Sequence, residues 1–191
     1  MKILKIILWV VLGIIGVFLL VAVFLPSEYS VERSITIEKP AELVFSRVAD
    51  FNYYNKWNPW SRTDPGIKTA VSGEPAKPGS KWEWDGELVG KGSMEILSLV
   101  EGKSILSKLT FFEPQQGEAS DKWTFKPEGN GTEATWQLTG KAEYPVGRYF
   151  GLMMDNLLGN DFENGLKSLK ELCENEPDST GNIKIISEGE M

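Results

Sequence analysis

Lys122-Trp123-Thr124-Phe125-Lys126-Pro127-Glu128-Gly129-Asn130-Gly131-Thr132-Glu133-Ala134-Thr135-Trp136-Gln137-Leu138 is the stretch whose reading decides the fold. In its second half Ala134, Trp136, Leu138 and then Ala142 share one parity. Thr135, Gln137, Thr139 and Lys141 take the other. A period of two means a strand with one wet face and one buried face. Trp123 and Phe125 alternate in the same way in the first half. The Asn130-Gly131 pair between the two runs is the dipeptide that a tight hairpin turn favours. This is an antiparallel pair with large aromatics on its inner face.

The same text continues on the N-terminal side. Strands are expected at 67–72, 80–87, 92–100, 104–112, 120–127 and 132–142, separated by Pro78-Gly79, Gly90-Lys91-Gly92, Gly102 and Gly129-Asn130-Gly131. Short turns between adjacent strands imply a meander. Trp82 and Trp84 share a face, so Glu83, Asp85 and Glu87 point to water. On the C-terminal side, Met154, Leu158, Phe162, Leu166, Leu169 and Cys173 recur at helical spacing. They predict one long helix over 147–174 to cover the aromatic face, bent at Gly159 or Gly165. Upstream, Val31 to Ile37 alternates as a strand, and Pro40 opens a helix with Val44, Phe45 and Val48 on its stripe. Asp50 caps a second short helix through Trp57, and an aromatic loop, Trp57-Asn58-Pro59-Trp60, follows. Residues 175–191 read as an acidic tail in which Ile183 to Ile186 is an edge-strand candidate.

Ile6 to Leu25 is a run of twenty residues without a charge, sixteen of them Leu, Ile, Val or Phe. As a helix it is about 30 Å long, which matches the hydrocarbon core of a bilayer. Sixteen such residues favour insertion by about 6 kcal/mol. A cleaved signal has a shorter apolar run and small residues at the cut, whereas this run ends Val23-Phe24-Leu25-Pro26. Residues 1–27 therefore read as an uncleaved anchor. Lys2 and Lys5 precede it and Glu28 and Glu32 follow it, so the positive-inside rule sends the body to the outer, periplasmic face of the cytoplasmic membrane.

Composition removes much else. The chain has 191 residues and net charge −7, with no histidine and one cysteine. A body this acidic repels phosphate backbones, so nucleic acid is not an expected partner. Without histidine there is no His-based triad or His-ligated metal, and one cysteine gives no internal disulfide. No metal site, cofactor motif or catalytic constellation is legible.

Taken in order, these elements resemble the START-like, or SRPBCC, superfamily of helix-grip domains, in its polyketide cyclase/dehydrase branch. The resemblance spans residues 31–174 and rests on Arg33 to Ile37, Pro40 with Val44-Phe45, Trp57 to Trp60, Trp82 and Gly90 to Met94. It is best in Trp123 to Pro127, Gly131-Thr132, Thr135-Trp136 and Gly159 to Leu166. It implies an α+β fold: a curved antiparallel sheet of about seven strands wrapped round a long C-terminal helix, here with an added transmembrane helix. It also implies an apolar cavity between sheet and helix, used by members for lipids, sterols, quinones or polyketides.

The candidate cavity residues are Trp82, Trp84, Phe111, Trp123, Phe125, Trp136, Leu158 and Phe162, with core filling as the ordinary alternative. Arg33 shares parity with Ile35 and Ile37; it meets either a ligand's polar group or a structural ion pair. Tyr53, Tyr54, Trp57 and Trp60 are candidates for a membrane-proximal mouth, against plain packing of the short helices. The expected partners are a hydrophobic small molecule or lipid and the membrane itself. A buried carboxylate, Lys or Tyr facing the cavity would favour a cyclase- or dehydratase-like enzyme over a binding protein. An interaction module of a membrane complex is the third alternative.

Overall fold

The structure is a computed structural model and describes residues 2–176. The first element, α1 (Lys2–Phe24), is long and apolar enough to cross a membrane, and nearly all of its side chains are exposed. Three residues later β1 (Glu28–Ile37) begins the body. After α2 (Ala41–Ala49), α3 (Phe51–Trp57) and α4 (Trp60–Thr63) come β2 (Lys68–Ser72), β3 (Lys81–Gly86), β4 (Gly90–Val100), β5 (Ser104–Glu113), β6 (Gly117–Glu128) and β7 (Gly131–Lys141). Two helices, α5 (Val146–Gly151) and α6 (Met154–Asn175), close the described chain.

The seven strands form one antiparallel sheet in the order β1-β7-β6-β5-β4-β3-β2. The meander is as the turn spacing predicts, and β1 returns to pair with β7. A transverse row runs Tyr29, Gly140, Ala119, Leu109, Met94, Trp82 and Val71. This row lies at the end of the sheet where α1 joins β1. The inner face carries the expected aromatics, and α6 seats Phe162, Leu166, Leu169 and Cys173 in the core beneath it. Burial of each of the larger three contributes roughly 1.5–3 kcal/mol.

Three local readings need correction. The long C-terminal helix is two helices, because the chain turns at Leu152-Met153 and α5 leaves the sheet to pack on α1. Gly159 and Gly165 act by close approach rather than as bends within α6. A Cβ at 165 would lie 2.9 Å from the Trp136 ring and 3.0 Å from Pro59, and one at 159 would strike the Arg33 guanidinium. The aromatic loop shrinks to Asn58-Pro59 between two helices. Asn58 is buried, donates from Nδ2 to the Tyr54 carbonyl and accepts from the Ser61 N–H, which starts α4. The Asp50 cap is present, with Oδ1 accepting from the Asn52 N–H at 3.0 Å. The edge-strand candidate at Ile183 to Ile186 lies outside the described residues.

Candidate functional site: a cavity with a buried carboxyl

Strand parity and two glycine contacts create the site. Cross-strand pairing sets Trp84 opposite Gly92, and the indole lies over the space a Cβ at 92 would fill. Trp82 stacks on Trp84 with centroids 4.9 Å apart, and Phe111 meets Trp84 edge-on. A second stack runs Phe162, Trp136, Trp123, Phe125. Its closest pair, Trp136 and Phe162, is 4.0 Å apart. Between the two stacks lies a cavity of about 120 Å³. That is near the size of a cavity that holds one benzene, which leaves room for a single ring or the end of an acyl chain.

Of the residues singled out from sequence, Trp82, Trp84, Phe111, Trp136, Leu158 and Phe162 line this cavity. Trp123 and Phe125 lie behind it in the core. Arg33 is turned to α6, where it bonds Asp155 at 2.8 Å and Glu163 at 3.2 Å; it clasps helix to sheet and does not line the cavity. Tyr54 and Trp60 line the cavity. Trp57 is fully buried and donates to the Arg47 carbonyl, and Tyr53 lies under Arg47 and Lys56.

The residue that sequence reasoning missed is Asp121. It is 3% exposed, faces the cavity and accepts a hydrogen bond from Trp136 Nε1 at 2.5 Å. Burial pushes its carboxyl up to about 7, against the indole N–H groups of Trp136 and Trp123, which favour the charged form. The signal was available, since Asp121 has the parity of Trp123 and Phe125. Tyr54, also on the cavity wall, has a phenol raised well above its ordinary range, first by burial and then by the nearby Asp121 charge. Its hydroxyl has no hydrogen-bond partner among the described residues.

At the rim, buried Asp64 ties the β3–β4 turn to the loop after α4. Its Oδ2 accepts from the Leu88 N–H at 2.8 Å, and Oδ1 from the Gly66 N–H at 3.2 Å. That fixes Val89 and Ile67 as two rim residues of the cavity. Cys173 is buried far along α6, and burial pushes its thiol up to about 12. Among the described residues no cluster of acidic or sulfur ligands suits a metal ion.

The fold has close structural counterparts. The aromatase/cyclase Zhui from Streptomyces sp. R1128 matches 82% of this chain and 99% of its own, with a TM-score of 0.59 at 15% identity. A protein from Chromobacterium violaceum matches 77% and 98% with a TM-score of 0.57 at 20% identity. Ara h 8.0201 matches 78% and 99% with a TM-score of 0.55 at 13% identity. At these identities the likeness is one of fold. No curated protein matches the sequence. A family model described as polyketide cyclase/dehydrase and lipid transport matches residues 28–174, from the first residue of β1 almost to the end of α6. With sheet, covering helix and cavity all inside that match, the chain belongs to the polyketide cyclase/dehydrase and lipid transport family.

Proposed function

We propose that this protein binds a hydrophobic small molecule while tethered to a membrane by α1, with its body on the face opposite the N-terminus. The observation that carries the reading is the cavity, whose wall is apolar and aromatic except for Asp121 and the Tyr54 hydroxyl. Such a wall holds an apolar group by burial, and two polar groups fix its orientation. The family description, which includes lipid transport, supports the same ligand class. For the tether, support comes from a helix apolar on every side and from its join to the body. Arg148 donates to the carbonyls of Ala22, Val23 and Leu25 at the C-terminal end of α1. That cation satisfies carbonyls that a helix end otherwise leaves unpaired, and it joins α1 to the body. Lys2 and Lys5 before the span and Glu28 and Glu32 after it set the orientation.

Native mass spectrometry of the full chain, extracted gently from its own membrane, tests this. A defined extra mass is expected on the wild type and not on Leu158→Trp, which fills the cavity from the half-buried start of α6. Wild type without bound mass, equal to a folded Leu158→Trp, overturns the binding reading.

Asp121 supports a second reading, a cyclase- or dehydratase-like enzyme. A carboxyl near pKa 7 beside a phenol is poised to exchange protons with a bound substrate. The same spectra separate the two. If Asp121 catalyses a dehydration, Asp121→Asn retains a species heavier by one water than that on the wild type. An unchanged mass favours binding alone.

A further inference from the structure

We propose that the corner formed by α5 and the first turn of α6 lies in the lipid interface, in the leaflet on the body's side, so that the cavity end of the sheet rests against the bilayer. This rests on the reading of α1 as a membrane span. The corner carries Tyr144, Val146, Phe150, Leu152, Met153 and Leu157, all about half exposed or more. Leu88 and Phe112 are exposed at the same end of the sheet, beside the β3–β4 and β5–β6 turns. Outside α1, the other large exposed apolar residues among those described are Leu97 and Val100. Apolar side chains gathered at one end mark a contact surface, whereas scattered ones do not.

What covers that surface follows from its join to α1. The Tyr149 ring stacks on Phe18 at 4.4 Å and its hydroxyl donates to the Phe18 carbonyl at 2.7 Å. Tyr144 donates to the Leu19 carbonyl at 3.1 Å. From Phe18 to Phe24 the helix rises about 9 Å. If the membrane stopped below this contact, Lys2 to Val17 would have to cross it alone. Those sixteen residues reach about 24 Å, short of the roughly 30 Å core. A full span therefore brings α5 to the depth at which interfacial helices lie, about 5–10 Å into the headgroup and acyl boundary. Tyr144 and Tyr149 are the ring type that favours that zone. The patch is continuous with a helix that is itself apolar all round, so the occupant is lipid and not a second protein. At this corner a single residue step separates the two surfaces: Leu157 faces out while its neighbour Leu158 lines the cavity.

Spin labels placed by Leu12→Cys, Leu152→Cys and Leu97→Cys test the placement in full-length protein in phosphatidylcholine–phosphatidylglycerol vesicles. Cys173 is buried and stays unlabelled. Labels at 12 and 152 are expected to relax several-fold more with oxygen than with a water-soluble nickel complex, and the label at 97 to show the reverse. If 12 is in lipid and 152 behaves like 97, the interface proposal falls and the anchor stands. A label at 152 shielded from both reagents points to a second copy or another protein and also overturns it. If 12 is aqueous, both readings fall.

Discussion

Trp136 and Asp121 meet as a diagonal pair on the inner face of the β6–β7 ladder, the indole N–H donating to Oδ1 at 2.5 Å. One bond therefore joins a large apolar ring of the cavity wall to its ionisable carboxyl. Asp121 has a folded-state pKa of about 7, above its unfolded value near 4. The folded chain thus holds the proton more tightly between those values, and stability from this group is full at acid pH and lost as pH rises towards 7. Asp121→Asn keeps an oxygen for Trp136 and removes the charge. Its stability relative to wild type is expected to rise by about 2–3 kcal/mol between pH 5 and pH 8. Denaturant unfolding at the two pH values reads this, and an equal difference at both would contradict it.

Gly92 is required by Trp84. A Cβ there would enter the indole and approach the Thr110 carbonyl at 2.6 Å. Gly92→Ala must move the ring that forms one wall of the cavity, at a cost of about 1–3 kcal/mol or more. A lowered melting temperature with altered near-ultraviolet circular dichroism is expected, and a neutral effect on both would show that the wall tolerates repacking.

Arg148→Ala leaves the carbonyls of Ala22, Val23 and Leu25, at and just past the end of α1, without that donor and loosens α5 from α1. The sheet is untouched, so thermal unfolding of the body should change little. Limited proteolysis in detergent should cut between 142 and 154 several-fold faster than in wild type. Wild-type cleavage rates would mean that the tyrosine contacts alone hold the corner.

Cys173 is buried in the core beside Leu169, and its thiol is pushed up to about 12 by burial. A thiol reagent at pH 8 is expected to leave it unmodified in native protein and to label it fully after denaturation. Rapid native labelling would place the end of α6 away from the sheet.

Asp121 and Arg33 mark how far the sequence could be read. Both sit at strand positions whose parity is plain, so their faces were legible. Arg33 meets Asp155 and Glu163 because α6 crosses β1 with Gly159 in between, a long-range contact with no local signature. Trp82, Trp84, Phe111, Trp136, Leu158 and Phe162 line the cavity. Trp123 and Phe125 have the same periodicity, yet stand behind it, because periodicity reports the face and not the depth.

The sequence by itself determined the meander, the inward aromatic face, the covering helix and the apolar N-terminal run. All of these follow from periods of two and 3.6, turn dipeptides and segment length, which are properties of neighbouring residues. The tertiary structure decided which aromatics bound the cavity, that Asp121 is buried beside Trp136, and that the C-terminal helix breaks at Leu152-Met153 to set α5 on α1. Those outcomes depend on packing between different elements, from Asp121 and Trp136, 15 residues apart, to Phe18 and Tyr149, 131 apart. There a methyl group missing at Gly92 or Gly165 fixes how closely two surfaces meet.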